Sequence, residues 1–306
     1  MKAALPFLAL ALIGAAWGAT QPLAKIAVSD GYRHVGILFW QNGIIAVFLG
    51  AICLLRGRGL PLTGGALQRY FVISLIGTVL PGIASYSAAV HLPSGVLSIL
   101  LSAVPMLAFP VALMMGNDNF ALRRLLGLAL GFCGVMLLVL PQEGLPASVS
   151  SFWVAIALLA SACYAIEGNY VARYGTAGLD PMQVLTGASI IGMGLTGPAA
   201  LWMGQFIIPG ANWSAPDSAI VASSLLHGLA YAGYVGLVGW AGSVFAVQVA
   251  YLVTLFGVTW AILLLGESYS GWFWAAFVTM LAGMALVQPR PKQLVPDQDA
   301  GQNRPK

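Results

Sequence analysis

Apolar residues run along this chain in long blocks, each separated from the next by a few polar, glycine or proline residues. Ten of the blocks approach the roughly 20 residues with which an α-helix crosses a bilayer. They cover residues 4–28, 35–55, 68–90, 94–115, 122–140, 150–172, 181–203, 218–239, 243–265 and 271–288. The breaks between them carry turn-forming sequences such as Arg-Gly-Arg-Gly and Gly-Asn-Asp. The pattern therefore predicts an all-α integral membrane protein with ten transmembrane helices.

The composition agrees with exposure to lipid. Hydrophobic residues make up 59% of the 306 residues and charged residues 7%, whereas a soluble domain carries roughly a quarter charged residues. The net charge of +4 is not gathered on a basic face, so nucleic-acid binding is not indicated. The three cysteines lack CxxC spacing and lie within apolar blocks, which predicts packing residues rather than a redox or metal site.

Lysine and arginine predict the orientation in the membrane. If the N-terminus is cytoplasmic, only Lys25 and Arg33 of the 13 basic residues lie outside. This positive-inside bias predicts that both termini are cytoplasmic and that the loop at 141–149 lies on the opposite side of the membrane. The first block continues well past Gly18, which is too long for an ordinary signal-peptide core, so we expect it to be retained. Residues 289–306 are polar and proline-bearing, which predicts a disordered cytoplasmic tail.

Segments of the two halves align in the same order. The segment SGVLSILLSAVPMLAFPVALMMGND, which begins at Ser94, lies over VFAVQVAYLVTLFGVTWAILLLGES, which begins at Val244. The segments GAAWGATQ and SACYAIEG also align, as do GFCGVMLL and MLAGMALV. Because five spans is an odd number, the second half enters the membrane in the opposite orientation. The sequence thus predicts two inverted five-helix repeats, 1–140 and 145–288, around a central cavity, an architecture of secondary transporters.

Polar side chains inside apolar helices are costly in lipid and usually face the protein interior or water. In the first span, Trp17 and Gln21 lie one turn apart on the face that also carries Lys25. In the eighth span, three polar-tipped rings fall at i, i+4 and i+7, and we interpret both faces as walls of a substrate cavity. The predicted substrate-binding residues are Trp17, Gln21, Ser98, Tyr164, His227, Tyr231, Tyr234, Gln248 and Tyr251.

Several intramembrane polar residues have structural interpretations as well. Ser98 can bond its own backbone at i−4, and Lys25 can extend to the membrane interface. Glu167 is the one carboxylate within a predicted span. It can relay protons, but we favour an ion pair with arginine or an interfacial position. The third span contains Pro81 and Gly82, which predict a hinge rather than a contact with substrate.

Four segments carry a resemblance to a known family. They are AAWGATQPLAK, VHLPSGVLSILLSAVPML, LLLGES and LAGMALV. Over nearly all of residues 3–288 the chain resembles the EamA-type members of the drug/metabolite transporter superfamily, and within it the bacterial exporters of aromatic amino acids (YddG-like). Many relatives carry arginine in the second span, where this chain has Trp40, Gln41 and Asn42. The resemblance implies a carrier of small metabolites.

These observations predict a secondary transporter that exports amino acids or similar small amphiphilic metabolites by alternating access. Drugs or other toxic metabolites are the alternative substrates. No HExxH or GxSxG motif indicates an enzyme, and no GxxxxGK[ST] motif indicates ATP binding. An intramembrane enzyme, a channel and a structural subunit are the weaker alternatives. We expect no cofactor, no metal and no obligate protein partner; the expected partners are a small-molecule substrate and membrane lipid.

Overall fold

Every regular element of the computed structural model is a helix within the residues that it describes, 4–139, 150–208 and 213–287. A single helical turn, Ser243–Ala246, precedes the ninth long helix. The long helices are α1 (Leu5–Ala27), α2 (His34–Leu55), α3 (Gly64–His91), α4 (Ser94–Met114), α5 (Leu122–Val139), α6 (Ser151–Tyr174), α7 (Pro181–Trp202), α8 (Ala215–Ala241), α9 (Val249–Leu265) and α10 (Gly271–Val287).

The first eight of these helices are long and apolar enough to cross a membrane. Helices α9 and α10 are equally apolar but have 17 residues each, which corresponds to about 26 Å at 1.5 Å per residue. Nine helices begin within four residues of the start predicted from the sequence, and α9 begins six residues later than residue 243. The predicted loop 141–149 and the predicted tail 289–306 lie outside the described residues.

Helix α3 changes its hydrogen-bonding pattern near its middle. Residues Ser74–Val79 form a π-helical segment. Pro81 follows it closely, and because proline has no amide hydrogen it cannot donate to the carbonyl of Gly77 four residues earlier. A π-helical segment inside an α-helix is uncommon and occurs frequently at functional sites. The predicted interruption of the third span is therefore present, one turn before Pro81.

Helix α4 is interrupted at residues 102–103, between segments Ser94–Leu101 and Val104–Met114. Pro105 explains the interruption, because it cannot donate to the carbonyl of Leu101. The amides of Ser102 and Ala103 instead bond to carbonyls three residues earlier, at 2.9 and 3.1 Å. The predicted ninth span is also interrupted, at 247–248 just before α9. Both segments thus contain a local break where the sequence alone predicted a continuous helix.

The most extensive helix contacts are preserved when each helix of the first half is exchanged with the helix five positions later. Helix α1 packs on α8 and α9, and α6 correspondingly packs on α3 and α4. Helix α2 contacts α8, as α7 contacts α3. The remaining extensive contacts join α2 to α7, α4 to α9 and α5 to α10, and each of these pairs maps onto itself.

Small residues allow close approach of α5 and α10. A Cβ atom built on Gly283 would lie 2.8 Å from the carbonyl oxygen of Gly127 and 3.0 Å from the amide nitrogen of Gly131. A Cβ atom on Gly127 would lie 2.7 Å from the carbonyl oxygen of Gly283. Small residues that bring backbones together are a common means of packing helices in lipid, where the hydrophobic effect between helices is weak. These glycines fix the α5–α10 contact.

Candidate functional site

Three rings from α1 and α8 meet near the middle of the bundle. The indole Nε1 of Trp17 donates a hydrogen bond to Nδ1 of His227 at 3.2 Å. The Trp17 and Tyr234 ring centroids are 5.7 Å apart, within the range of favourable aromatic contacts. Because Nδ1 accepts this hydrogen bond, His227 is a neutral imidazole with its proton on Nε2. Trp17 thus orients the histidine, and Nε2–H remains as a donor.

A carboxylate from α6 lies against the π-helical segment of α3. A Cβ atom built on Gly77 would lie 2.6 Å from both Cδ and Oε1 of Glu167 and 2.8 Å from Oε2. A side chain at position 77 would therefore displace the carboxylate end of the Glu167 side chain. Glu167 is also close enough to the Tyr164 and Tyr231 hydroxyls to interact electrostatically with each. Gly77 therefore leaves space for an acid that lies near two tyrosines.

The rings and the carboxylate form one continuous group. Tyr231 lies near both Tyr234 and Glu167. Tyr164 lies near Tyr86 of α3, and the Tyr86 hydroxyl donates to Oε1 of Gln41 at 2.9 Å. We call this group the central cluster. Its members are Trp17, Tyr86, Tyr164, Glu167, His227, Tyr231 and Tyr234.

The central cluster lies well inside the helices that supply it. Trp17 and His227 are each 12 residues from the start of their helices, or about 18 Å along the axis. Glu167 is seven residues from the end of α6, or about 10 Å. In helices long enough to cross a bilayer, these positions fall at intramembrane depth, where polar side chains usually serve a pathway or a binding site.

Five of the nine predicted site residues are in the central cluster, and four are elsewhere. Gln21 is one turn from Trp17 and half-buried, with its amide nitrogen 3.5 Å from Oγ1 of Thr20. Ser98 donates to the carbonyl of Ser94 at 3.1 Å, and a Cβ atom on Gly257 would lie 2.4 Å from its hydroxyl. Ser98 therefore occupies the α4–α9 crossing, apart from the cluster.

The other two predicted residues lie at the N-terminal end of α9. Gln248 is the N-cap residue of α9 and Tyr251 follows in its first turn. Tyr251 is close enough to Arg123 near the start of α5 for an electrostatic interaction. Val249, which follows Gln248, packs in the same apolar cluster as Trp17 and Tyr234. The roles of Gln248 and Tyr251 in substrate binding stay predictions.

The sequence interpretation of Glu167 was wrong in one respect. Within residues 4–139, 150–208 and 213–287, its carboxylate forms no ion pair with arginine and no hydrogen bond. Arg69, which is near the same end of α6, instead donates to the carbonyls of Tyr174 and Gly175. Sequence analysis also treated the third span as a hinge only, and so missed Tyr86. The signal for Glu167 was present, because it is the one acid within a predicted span.

At one end of the bundle, polar side chains bond to the backbone where α3 ends and α4 begins. The ammonium of Lys25 donates to the carbonyls of Ala89 and Leu92 at 2.7 and 3.1 Å. The carboxylate of Glu267 accepts from the amides of Ser94 and Gly95 at 2.8 and 3.1 Å. Lys25 thus offsets the negative partial charge of the last carbonyls of α3, and Glu267 caps the start of α4. This structural role is compatible with the predicted interfacial position of Lys25.

Tyr269, in the loop between α9 and α10, completes the same contact. Its hydroxyl donates to Glu267, and its ring stacks on Phe273 with centroids 3.7 Å apart. Burial raises the pKa of the Tyr269 hydroxyl, and the hydrogen bond to Glu267 raises it further. The phenol therefore stays protonated and continues to donate to the carboxylate.

At the opposite end of the bundle, ion pairs and an amide hydrogen bond join neighbouring segments. Asp180, the N-cap residue of α7, pairs with Arg58 at 2.9 Å and with Arg56 at 3.6 Å. The amide of Asn117, after α4, donates to the backbone carbonyl of Asn169 on α6 at 2.9 Å. Exposed ion pairs of this kind contribute little stability individually. Their effect here is to fix the register of neighbouring loops.

A separate concavity with a volume of about 400 Å³ lies between α1 and α8. Its lining is almost entirely apolar and includes Leu12 and Leu229, which are 62% and 57% exposed. Exposed leucine on an apolar transmembrane helix is expected to face lipid. This surface is therefore a furrow on the outside of the bundle, and the central cluster is the stronger candidate for a polar substrate.

Comparison with known proteins identifies a transporter family over part of the chain. Residues 5–140 match the model of the EamA-like transporter family. One solved crystal structure is 18% identical to this chain, with a TM-score of 0.58, and the match covers 91% of this chain and 96% of that one. Nineteen chains of solved structures match significantly. No curated protein sequence does. The structural match supports the overall fold, whereas the family match concerns the first half.

Proposed function

We propose, from the match of residues 5–140 to the EamA-like transporter family, that the protein is a secondary transporter with the central cluster as its substrate site. Its substrates are amino acids or similar small amphiphilic metabolites, which it exports from the bacterial cytoplasm by alternating access. The observation that carries this proposal is the cluster itself. Rings, a histidine and a carboxylate from α1, α3, α6 and α8 converge at intramembrane depth, where lipid contact alone would require none of them.

The chemistry of the cluster suits amphiphilic molecules. Aromatic rings provide apolar area at low entropic cost, while phenol hydroxyls and the His227 imidazole provide hydrogen bonds. Gln21, one turn from Trp17, adds an amide toward the end closed by Lys25. Such a set gives modest affinity and broad selectivity. The proposed subgroup is the YddG-like exporters of aromatic amino acids, and drugs or other toxic metabolites are the alternative cargo.

The helix packing supports an inverted repeat. Exchange of each helix with the one five positions later preserves the extensive contacts, as expected for two copies of one five-helix unit. We propose that α9 and α10 also span the membrane and that the units are residues 1–140 and 145–288. With five spans each, the units have opposite orientations, which gives a carrier two related openings around one central site.

The proposed orientation can be tested with reporter fusions. Both termini and the loop after α2 are placed in the cytoplasm, and residues 141–149 in the periplasm, because eleven of the 13 basic residues then lie inside. A fusion of alkaline phosphatase at Gly144 should be active, and one at Arg58 should be silent. The reverse pattern would overturn the orientation of both repeats.

The substrate class can be tested with the purified protein in liposomes. Radiolabelled aromatic, aliphatic and charged amino acids are compared with a labelled cationic drug, each with and without a pH gradient. The proposal predicts saturable flux of a subset of amino acids, which unlabelled substrate inhibits and empty liposomes lack. Flux of the drug alone would favour the alternative cargo. Absence of flux for the whole panel would contradict the assignment to these substrates.

A further inference from the structure

We propose that Glu167 binds a cationic nitrogen of the substrate, between the phenol rings of Tyr164 and Tyr231. This inference rests on the proposed transport function and names the substrate class that the central site recognises. The substrate would be an amphiphile with an amino group and an apolar body. The environment of Glu167 carries this inference.

The first argument is that the Glu167 carboxylate lacks a partner. Within the three described ranges it accepts no hydrogen bond and pairs with no lysine or arginine. Arg69, near the same end of α6, donates instead to the Tyr174 carbonyl. An ionised carboxylate removed from water without compensation is strongly unfavourable. A bound cation supplies that compensation.

The second argument is that the chain makes room for the carboxylate. At Gly77 a Cβ atom would lie 2.6 Å from Oε1 of Glu167, closer than any real side chain allows. Gly77 also lies in the π-helical segment, where Pro81 leaves its carbonyl without the usual donor. The arrangement is consistent with an acid held in position for a ligand.

The third argument concerns the neighbouring rings. Tyr164 and Tyr231 approach Glu167 from α6 and α8, and tyrosine rings attract ammonium groups through their π-electrons. The central cluster contains neither lysine nor arginine, and His227 is neutral because its Nδ1 accepts from Trp17. With Glu167 ionised, the cluster therefore carries net negative charge. It favours an ammonium group and disfavours an isolated anion.

The test compares two ligands that differ only in the charged group. Binding of phenethylamine and of phenethyl alcohol to the purified full-length protein is measured by isothermal titration calorimetry at neutral pH. We expect the amine to bind at least about tenfold more tightly, because only the amine pairs with the partly buried carboxylate. Equal affinities, or no binding of either compound, would overturn the inference even if the amino-acid flux described above is observed.

Two substitutions assign the preference to Glu167. Glu167→Gln keeps the shape and removes the charge, so it should reduce amine affinity to that of the alcohol. Asp30→Asn removes an equal charge from an exposed loop and should leave the amine preference unchanged. An amine preference that persists in Glu167→Gln would contradict the assignment. If that variant does not purify, Gly77→Ala displaces the carboxylate by steric contact and should weaken amine binding, whereas unchanged amine affinity would contradict the inference.

Discussion

Trp17→Ala should remove most of the transport activity while the purified protein remains monodisperse. Trp17 contacts both other rings of its group, with a hydrogen bond of 3.2 Å to His227 and a centroid distance of 5.7 Å to Tyr234. Its loss removes a ring and releases the histidine from its fixed orientation. Truncation of a buried ring costs about 1–3 kcal/mol, which corresponds to roughly 5- to 150-fold in binding.

Initial rates of substrate uptake into proteoliposomes provide the measurement for Trp17. Trp17→Phe retains a ring but not the indole donor, so it should give an intermediate rate. Tyr231→Ala and Gln21→Ala should also reduce transport, because they remove neighbouring groups of the proposed site. Leu12→Ala is the matched control on α1, since Leu12 is 62% exposed on the apolar surface. Near-normal rates for Trp17→Ala would show that Trp17 serves helix packing.

Gly283→Leu should prevent stable assembly of the bundle. A Cβ atom at this position already comes within 2.8 Å of a backbone oxygen on α5, and backbone cannot move aside as a flexible side chain does. A leucine would force α10 away from α5 over their whole contact. We expect a loss of about 3 kcal/mol or more, at the upper end of the usual cost of overpacking.

The measurement for Gly283→Leu is the yield of monodisperse protein and its thermal unfolding in detergent. Gly194→Leu is the matched control, because Gly194 lies inside α7 and a Cβ atom there meets nothing within 4 Å. The control should unfold close to the temperature of the unmodified protein. If Gly283→Leu were equally stable, the close α5–α10 contact described above would be incorrect.

The helix boundaries were largely predictable from the sequence, whereas the interruptions within helices were not. Block length and turn residues reflect the thickness of the bilayer and the backbone preferences of glycine and proline, which are local properties. The π-helical segment at Ser74–Val79 and the break at 102–103 arise where proline removes the hydrogen-bond donor of a carbonyl. Their form depends on how neighbouring helices pack around that carbonyl. Sequence analysis identified Pro81 as disruptive, but it did not predict which structure would result.

The candidate site was predictable where its residues share a helix face. His227, Tyr231 and Tyr234 follow from a single periodicity, and Trp17 was selected because it shares a helix face with Gln21 and Lys25. The position of Glu167 against Gly77 could not be predicted, because it depends on how α3 and α6 cross. The two residues are far apart in sequence. Ser98 lies at the crossing of α4 and α9, and its role as a ligand stays a prediction.

The central claim is that the cluster is a substrate site reached alternately from both sides of the membrane. The most direct measurement uses Tyr234→Cys in a chain whose Cys53, Cys133 and Cys163 are replaced by alanine. A membrane-impermeant thiol reagent is added from either face, with and without saturating transported substrate. Our account predicts labelling from both faces and slower labelling when substrate is bound. Labelling from one face only, at a rate that substrate does not change, would contradict it.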